Sequence, residues 1–281
     1  MRAFESKWAG TDGIPFQVQG WEPDNRSPKA LVALLHGLGE HTGRYAHVAQ
    51  ALTDAGYALF GFDLRGHGRS GGARGHTPSL EAYIQDIRQF FKYLVTRYPE
   101  IPHFLYGHSL GGFLSIVYAL QYRNGLKGVI ITGAALRSAL QEQKAKIAMI
   151  KLLGTLAPTV TIPSGLETSA LSRDLDVVNA YISDPLVHNK TSLGFGKAAL
   201  KAIDLCFTRA RDLTPPLLIM HGEADRLAYP SGSEDFASLA CVTNRDVTLK
   251  LWDGMYHEIH NEPEKAEVFQ FMIEWLDNHL K

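Results

Sequence analysis

Cysteine is scarce: Cys206 and Cys241 are the two in 281 residues. Two distant thiols make neither a disulfide framework nor a metal-type spacing, so a reduced, cytoplasmic setting is expected. An excess of charge is missing too. Lys and Arg number 28 against 29 Asp and Glu, a formal net charge of -1, which argues against a chain held to nucleic acid by electrostatics. No apolar run reaches transmembrane length without charges. The opening stretch, residues 1–8, lacks the apolar core of a secretory signal. Any membrane contact is expected to be peripheral. There is no internal repeat and no low-complexity tract.

What the chain does have is an alternation of short apolar runs and amphipathic segments. Its length favours one domain carrying an insertion. Residues 4–8 and 14–18 flank the turn signal Asp12-Gly13 and predict a hairpin. Apolar runs at 30–35, 57–62, 103–106, 128–132 and 217–220 suit strands covered on both faces, and 247–252 suits another. Helices are predicted over 45–55, 80–98, 113–120, 233–240 and 264–280. Gly56 caps the first, and Pro99 closes the second. The fold class expected is α/β, a mostly parallel central sheet with helices on both faces.

The rhythm breaks over 134–213, which is helical in pattern and has no clear strand. The expected organisation is a core over 1–133, a helical cap over 134–213, and the core again over 214–281. In the cap, Leu136, Leu140, Ile147, Ile150 and Leu153 recur at helical spacing beside Lys144, Lys146 and Lys151. This stripe is expected to pack on its own domain. The competing reading is a lid that touches lipid. A short helix is expected to start at Ser172 as its N-cap.

Gly107-His108-Ser109-Leu110-Gly111 stands between a strand-like and a helix-like run. Gly-x-Ser-x-Gly in that context is a nucleophile elbow. The turn is too tight for side chains at the glycines, and it pushes the Ser109 hydroxyl into a cleft at a helix start. The plain alternative is a Gly-rich turn with an idle serine. A serine hydroxyl needs a base, and the base needs an orienting acid. In an open parallel sheet these gather beyond the carboxyl ends of the strands. Asp225 follows the run at 217–220, and His257 follows that at 247–252. Chain order is then Ser, Asp, His, the order of α/β-hydrolases. Asp253 is the second choice of acid and His260 the second choice of base; Glu223 reads as a loop carboxylate. Two amides should hold the oxyanion: Leu110 N, directly after the nucleophile, and Leu38 N, in the 36–39 loop after an early strand. His257 to His260 lacks the His-Glu-x-x-His spacing, so no metal is expected. Gly66 to Gly71 matches Gly-x-Gly-x-x-Gly but opens no helix, and reads as a structural loop. No cofactor is expected.

Several stretches together resemble monoacylglycerol lipases and related lysophospholipases of the α/β-hydrolase fold. They are His36-Gly37-Leu38-Gly39-Glu40-His41 with Arg44-Tyr45, residues 63–70, 107–112, 183–186 and 221–227, and Tyr256-His257. The resemblance spans nearly the whole chain and is weaker over the cap. It implies the same triad, Ser109, Asp225 and His257. It also implies that Glu40, Arg44 and His260 bind the polar glycerol end and that Tyr181 lines the pocket. The other reading of those four is hydrogen bonding within loops. Leu110 stands where many members carry methionine, which leaves its amide unaffected. The activity implied is cleavage of a small lipid ester with one acyl chain, without cofactor. The alternatives are a lysophospholipase or broad short-chain esterase, a proline-type peptidase or acyltransferase on the same triad, and a non-catalytic binding module.

Overall fold

The computed structural model describes residues 1–24, 26–122 and 125–280. In chain order the elements are β1 (Arg2–Ala9), β2 (Pro15–Glu22), β3 (Leu31–Leu35), α1 (Ala46–Asp54), β4 (Ala58–Phe62), α2 (Leu80–Arg97), β5 (His103–His108), α3 (Leu110–Gln121) and β6 (Gly128–Thr132). Then come α4 (Lys144–Leu156), β7 (Thr161–Pro163), α5 (Leu175–Ser183), β8 (Lys190–Ser192) and α6 (Leu193–Thr208). The chain ends with β9 (Leu217–Gly222), α7 (Pro230–Ala240), β10 (Val247–Trp252) and α8 (Lys265–Leu280).

One eight-stranded sheet has the order β1-β2-β4-β3-β5-β6-β9-β10. The β1/β2 and β2/β4 pairs are antiparallel; the rest are parallel. β3, β4, β5, β6 and β9 are buried on both faces, so alternate side chains feed two separate cores, while the edge strand β10 is only partly covered. Leu31, Ala33 and Leu35 point to the side covered by α2, α3, α6 and α7, where Phe90, Phe113, Phe195 and Phe236 pack. Val32 and Leu34 point to the side of α1 and α8, among Val48, Leu52, Val268 and Met272. Register matters more for the site than either core. Leu35 pairs with Gly107, Gly107 with Ile131, Thr132 with Met220, and Leu251 with His221. The carboxyl ends of β3, β5, β6, β9 and β10 therefore finish at one edge, and their following loops meet there.

The structure differs from the sequence expectations in the inserted segment. β7 and β8 form a small antiparallel pair in which Ile162 faces Thr191. At three residues each they are too short to show a period. The leucine stripe is not one helix. Leu136 is fully buried in the core, Leu140 lies in a 3-10 turn, and α4 starts at Lys144. α4 buries Ile150 and Gly154 and leaves Met149, Leu152, Leu153 and Leu156 exposed. The N-cap of α5 is Asp174, not Ser172: the Asp174 carboxylate accepts from Asp176 N at 3.0 Å. Ser172 Oγ instead donates to Asn261 O at 3.0 Å. Ser172 Oγ also accepts from Asp174 N at 3.0 Å, so the hydroxyl makes a local turn and a long-range bond at once.

At Gly111 an added Cβ would run into Leu35 O and His36 O. Backbone cannot move aside there without unpairing the sheet. Gly111→Ala should therefore cost about 2–3 kcal/mol or more, read as a lower urea midpoint. An unchanged midpoint would contradict this packing.

Candidate active site

Ser109 directly follows β5 and opens α3 with φ 52° and ψ -113°. Among the described residues it is the only non-glycine with positive φ. Such backbone costs roughly 1–3 kcal/mol and persists only where its surroundings hold it. Here Ser109 N donates to Thr132 O at 2.9 Å, and Ser109 O accepts from Phe113 N at 3.0 Å and Ala135 N at 3.1 Å. The amide of Leu110 is the first of α3, where helix amides have no acceptor within the helix. The 36–39 loop lies directly against the serine. A Cβ on Gly37 would sit 3.4 Å from Ser109 Cβ. Leu38 N makes no hydrogen bond to a described residue. The loop's shape is held by Gly37 N donating to Glu40 Oε1 at 2.6 Å and by His188 N donating to Gly39 O at 2.9 Å. The two loops carrying the Leu38 and Leu110 amides thus touch at Ser109. The 63–70 loop braces the first of them, with Leu64 N donating to His36 Nε2 at 2.9 Å.

Asp225 is the carboxylate that reaches the histidine. His257 Nδ1 donates to Asp225 Oδ2 at 2.7 Å. Asp225 Oδ1 accepts from Leu227 N at 2.8 Å and Ala228 N at 3.0 Å. Asp253 and Glu223, the competing acids, are exposed. Burial alone would raise the Asp225 pKa. The facing His257 and the hydrogen bonds from both His221 and His257 outweigh burial, and the carboxyl is held well below its ordinary range. Burial alone would likewise depress His257, but Asp225 raises it above the ordinary imidazole value. With Nδ1–H committed to Asp225, Nε2 is the nitrogen free to take a proton.

The His257 ring lies 4.8 Å from that of His108, the neighbour of Ser109. It also lies against Gly133, whose added Cβ would be 3.1 Å from Nδ1. Gly133 follows Thr132, which holds the serine amide. Ser109, Asp225 and His257 are therefore gathered at one place. No hydrogen bond joins Ser109 Oγ to His257 in this state. Such bonds are often long without substrate and tighten in the complex.

Two partners escaped the sequence reading. His221, at the end of β9, donates Nε2–H to Asp225 Oδ2 at 2.9 Å and faces Ser233 Oγ through Nδ1 at 2.7 Å. A polar residue closing a buried apolar strand was the available signal. Glu258 was the other. Arg44 grips it through two nitrogens at 2.7 and 2.8 Å and Glu40 at 2.5 Å. Tyr45 Oη donates to Glu40 at 2.7 Å, and Asn261 Nδ2 to Glu258 at 2.7 Å. The Arg44 guanidinium lies 4.7 Å from the Tyr181 ring centre. Burial works against the charged form of each partner. The ion pairs prevail, raising Arg44 and depressing Glu258.

Glu40 and Arg44 thus form one cluster, bonded to each other, to Glu258, to Tyr45 and to Gly37 N, with the Tyr181 ring against the Arg44 guanidinium. His260 is fully buried, stacked 4.9 Å from Tyr45 and edge-on to His108 at 4.7 Å. Burial, then the neighbouring His108, holds its pKa far below the ordinary value. Its ring makes no hydrogen bond, so it is no rival to His257. Among the described residues no group of His, Cys, Asp and Glu is arranged to hold a metal.

A nucleophile elbow with this acid and base beyond a parallel sheet marks a class, the serine hydrolases of the α/β-hydrolase fold. A family model described as serine aminopeptidase, S33, matches residues 26–264. The monoacylglycerol lipase of Mycolicibacterium smegmatis is 37% identical over 98% of each chain. An abhydrolase domain-containing protein of Dictyostelium discoideum is 39% identical over 96% of this chain, which spans 28% of that relative's length. The crystal structure of Paleococcus ferrophilus monoacylglycerol lipase superposes with a TM-score of 0.84 at 32% identity, covering 99% of this chain and 100% of that one. The chain belongs to the monoacylglycerol lipase family of the α/β-hydrolase fold.

The base must be neutral to act, so activity should fall as pH drops through a value above the ordinary imidazole 6.5. Asp225→Asn removes the charge that raises it. The acid limb of kcat/KM should then move down while kcat falls roughly 10³–10⁴-fold. A limb that stays in place would separate Asp225 from the base.

Proposed function

We propose that this chain hydrolyses monoacylglycerols to fatty acid and glycerol through an acyl-enzyme on Ser109. The single observation that carries the reading is the 2.7 Å bond from His257 Nδ1 to the ionised Asp225, beside a strained serine. The kinship with monoacylglycerol lipases supports the substrate class. His257 Nε2 takes the Ser109 proton as Oγ attacks the ester carbonyl carbon. The carbonyl electron pair moves onto oxygen, and the amides of Leu38 and Leu110 receive it. As the carbonyl reforms, the bond to the glycerol oxygen breaks and that oxygen takes the proton from His257. Water then gives a proton to His257 and attacks the acyl carbon. Ser109 leaves with that proton, freeing the fatty acid. Asp225 stays ionised throughout and stabilises the imidazolium. Removing one oxyanion donor from such a site typically costs about 10²–10³ in rate.

Ester rather than aminopeptide cleavage fits the charges. A site for a free amino terminus needs an unpaired carboxylate. Glu40 and Glu258, the buried acids of this cluster, are both already engaged by Arg44. The test is a rate survey over monoacylglycerols, lysophospholipids, diacylglycerols, p-nitrophenyl esters and aminoacyl-arylamides. Monoacylglycerols should give the highest kcat/KM, and Ser109→Ala should give none. Faster arylamide cleavage, or turnover surviving in the alanine variant, would refute the assignment.

We also propose that α4 meets a lipid surface. Met149, Leu152 and Leu156 are 46, 60 and 72% exposed, beside the exposed Lys144, Lys146 and Lys151. An apolar face flanked by cations suits an anionic interface that supplies the substrate. No described helix is long and apolar enough to cross a membrane. Leu152→Ser with Leu156→Ser should lower co-sedimentation with anionic vesicles several-fold, with hydrolysis of a soluble short-chain ester unchanged. Equal sedimentation would remove α4 from the interface.

A further inference from the structure

Resting on that reading, we propose that Arg173 and Glu262 are positioning residues for His257, through a cap segment that straps the histidine loop. Residues 170–173 run beside 256–262. His257 N donates to Ala170 O at 3.4 Å, and Glu258 N to Leu171 O at 2.8 Å. Ser172 Oγ donates to Asn261 O at 3.0 Å. Glu262 fastens the strap from inside. Its carboxylate is fully buried. Oε1 accepts from Tyr256 N, directly before His257, at 2.8 Å and from Arg173 N at 3.2 Å. Oε2 accepts from Arg173 Nε at 2.8 Å. Arg173 also pairs with Glu264.

Neither Arg173 nor Glu262 is placed to touch a reacting atom. They act through the backbone of 256–258, which aims the imidazole whose other side is tied to Asp225. A base displaced by about 1 Å can lose up to 10²-fold in rate. The strap comes from the inserted segment, whereas the histidine comes from the end of the chain. Seating the cap and aiming the base are therefore one event.

An exposed pair between the inserted segment and the loop that carries Asp225 serves as a control. Arg226 meets Glu167 at 3.3 Å, with side chains 51% and 59% exposed. Exposed pairs of this sort contribute little. Arg173 is 34% exposed, and its partner is not exposed at all.

The test compares Glu262→Ala, Arg173→Met, Arg173→Lys and Glu167→Gln in the full chain. A fluorophosphonate probe counts competent serines, so rates are expressed per labelled site and unfolded protein is discounted. In Glu262→Ala and Arg173→Met, kcat should fall about tenfold or more and the labelling rate constant should fall in parallel. KM should stay within about threefold, the pattern of a lost transition-state interaction. Arg173→Lys should recover part of kcat, since an ammonium can still reach one Glu262 oxygen. Glu167→Gln should match wild type. If Glu262→Ala does not fold, Arg173→Met decides alone. A kcat per labelled site within about twofold of wild type would overturn the proposal, whatever the melting temperature. Wild-type protein that neither labels nor turns over ester would instead refute the hydrolase reading, and the strap with it.

Discussion

A carboxylate without water needs every lone pair answered, and Asp225 is where this molecule meets that demand. Its two oxygens accept from His257, His221, Leu227 and Ala228. An ion buried without such partners would protonate instead. Because these donors are present, the group stays charged and pulls His257 toward its cationic form. In the proposed mechanism that charge lets the imidazole take a proton from a reluctant hydroxyl. Through His257 this fixed point reaches His108 and Gly133, beside the elbow.

The second buried charge centre has a different task. Arg44 is held between Glu40 and Glu258, and Glu40 is also the acceptor for Gly37 N. The ion cluster thus ends on the backbone of the loop that offers Leu38 N. Buried ion pairs are poor sources of stability, because desolvation consumes most of the attraction. Their worth here lies in geometry. A loop in which one residue stands between two glycines would otherwise wander, and an oxyanion donor out of place is of little use. Ser109 itself carries the strain of positive φ, which the neighbouring strand β6 holds through Thr132.

The inserted segment shares the core's packing to an unexpected degree. Phe195, Ala202 and Cys206 of α6 belong to the same buried cluster as the strands and α2. α4, by contrast, shows much of its apolar surface to solvent. One inserted segment therefore holds both an anchored helix and an exposed one. Ser172 and Arg173 sit on its histidine-loop side, where they bond Asn261 and Glu262.

Local chemistry was enough to read the alternation of strand and helix, the elbow at Ser109 and the order of acid and base. Each depends on neighbours in sequence: an apolar run, a glycine at a fixed offset, a polar residue just after a strand. Nothing local marks which distant groups will share a buried charge. Glu258 lies 214 residues from Arg44, and Glu262 lies 89 from Arg173. Ser172 has the local marks of a helix cap, yet Asp174 caps the helix and the Ser172 hydroxyl joins a local turn to Asn261. The three-residue strands β7 and β8 exist only because they pair with each other. Sequence decided where the reactive groups stand along the chain, because propensity and turn chemistry act over a few residues. Tertiary structure alone decided which buried charges neutralise each other and what holds the base in place, because those pairings arise only when the sheet register brings the loop ends together.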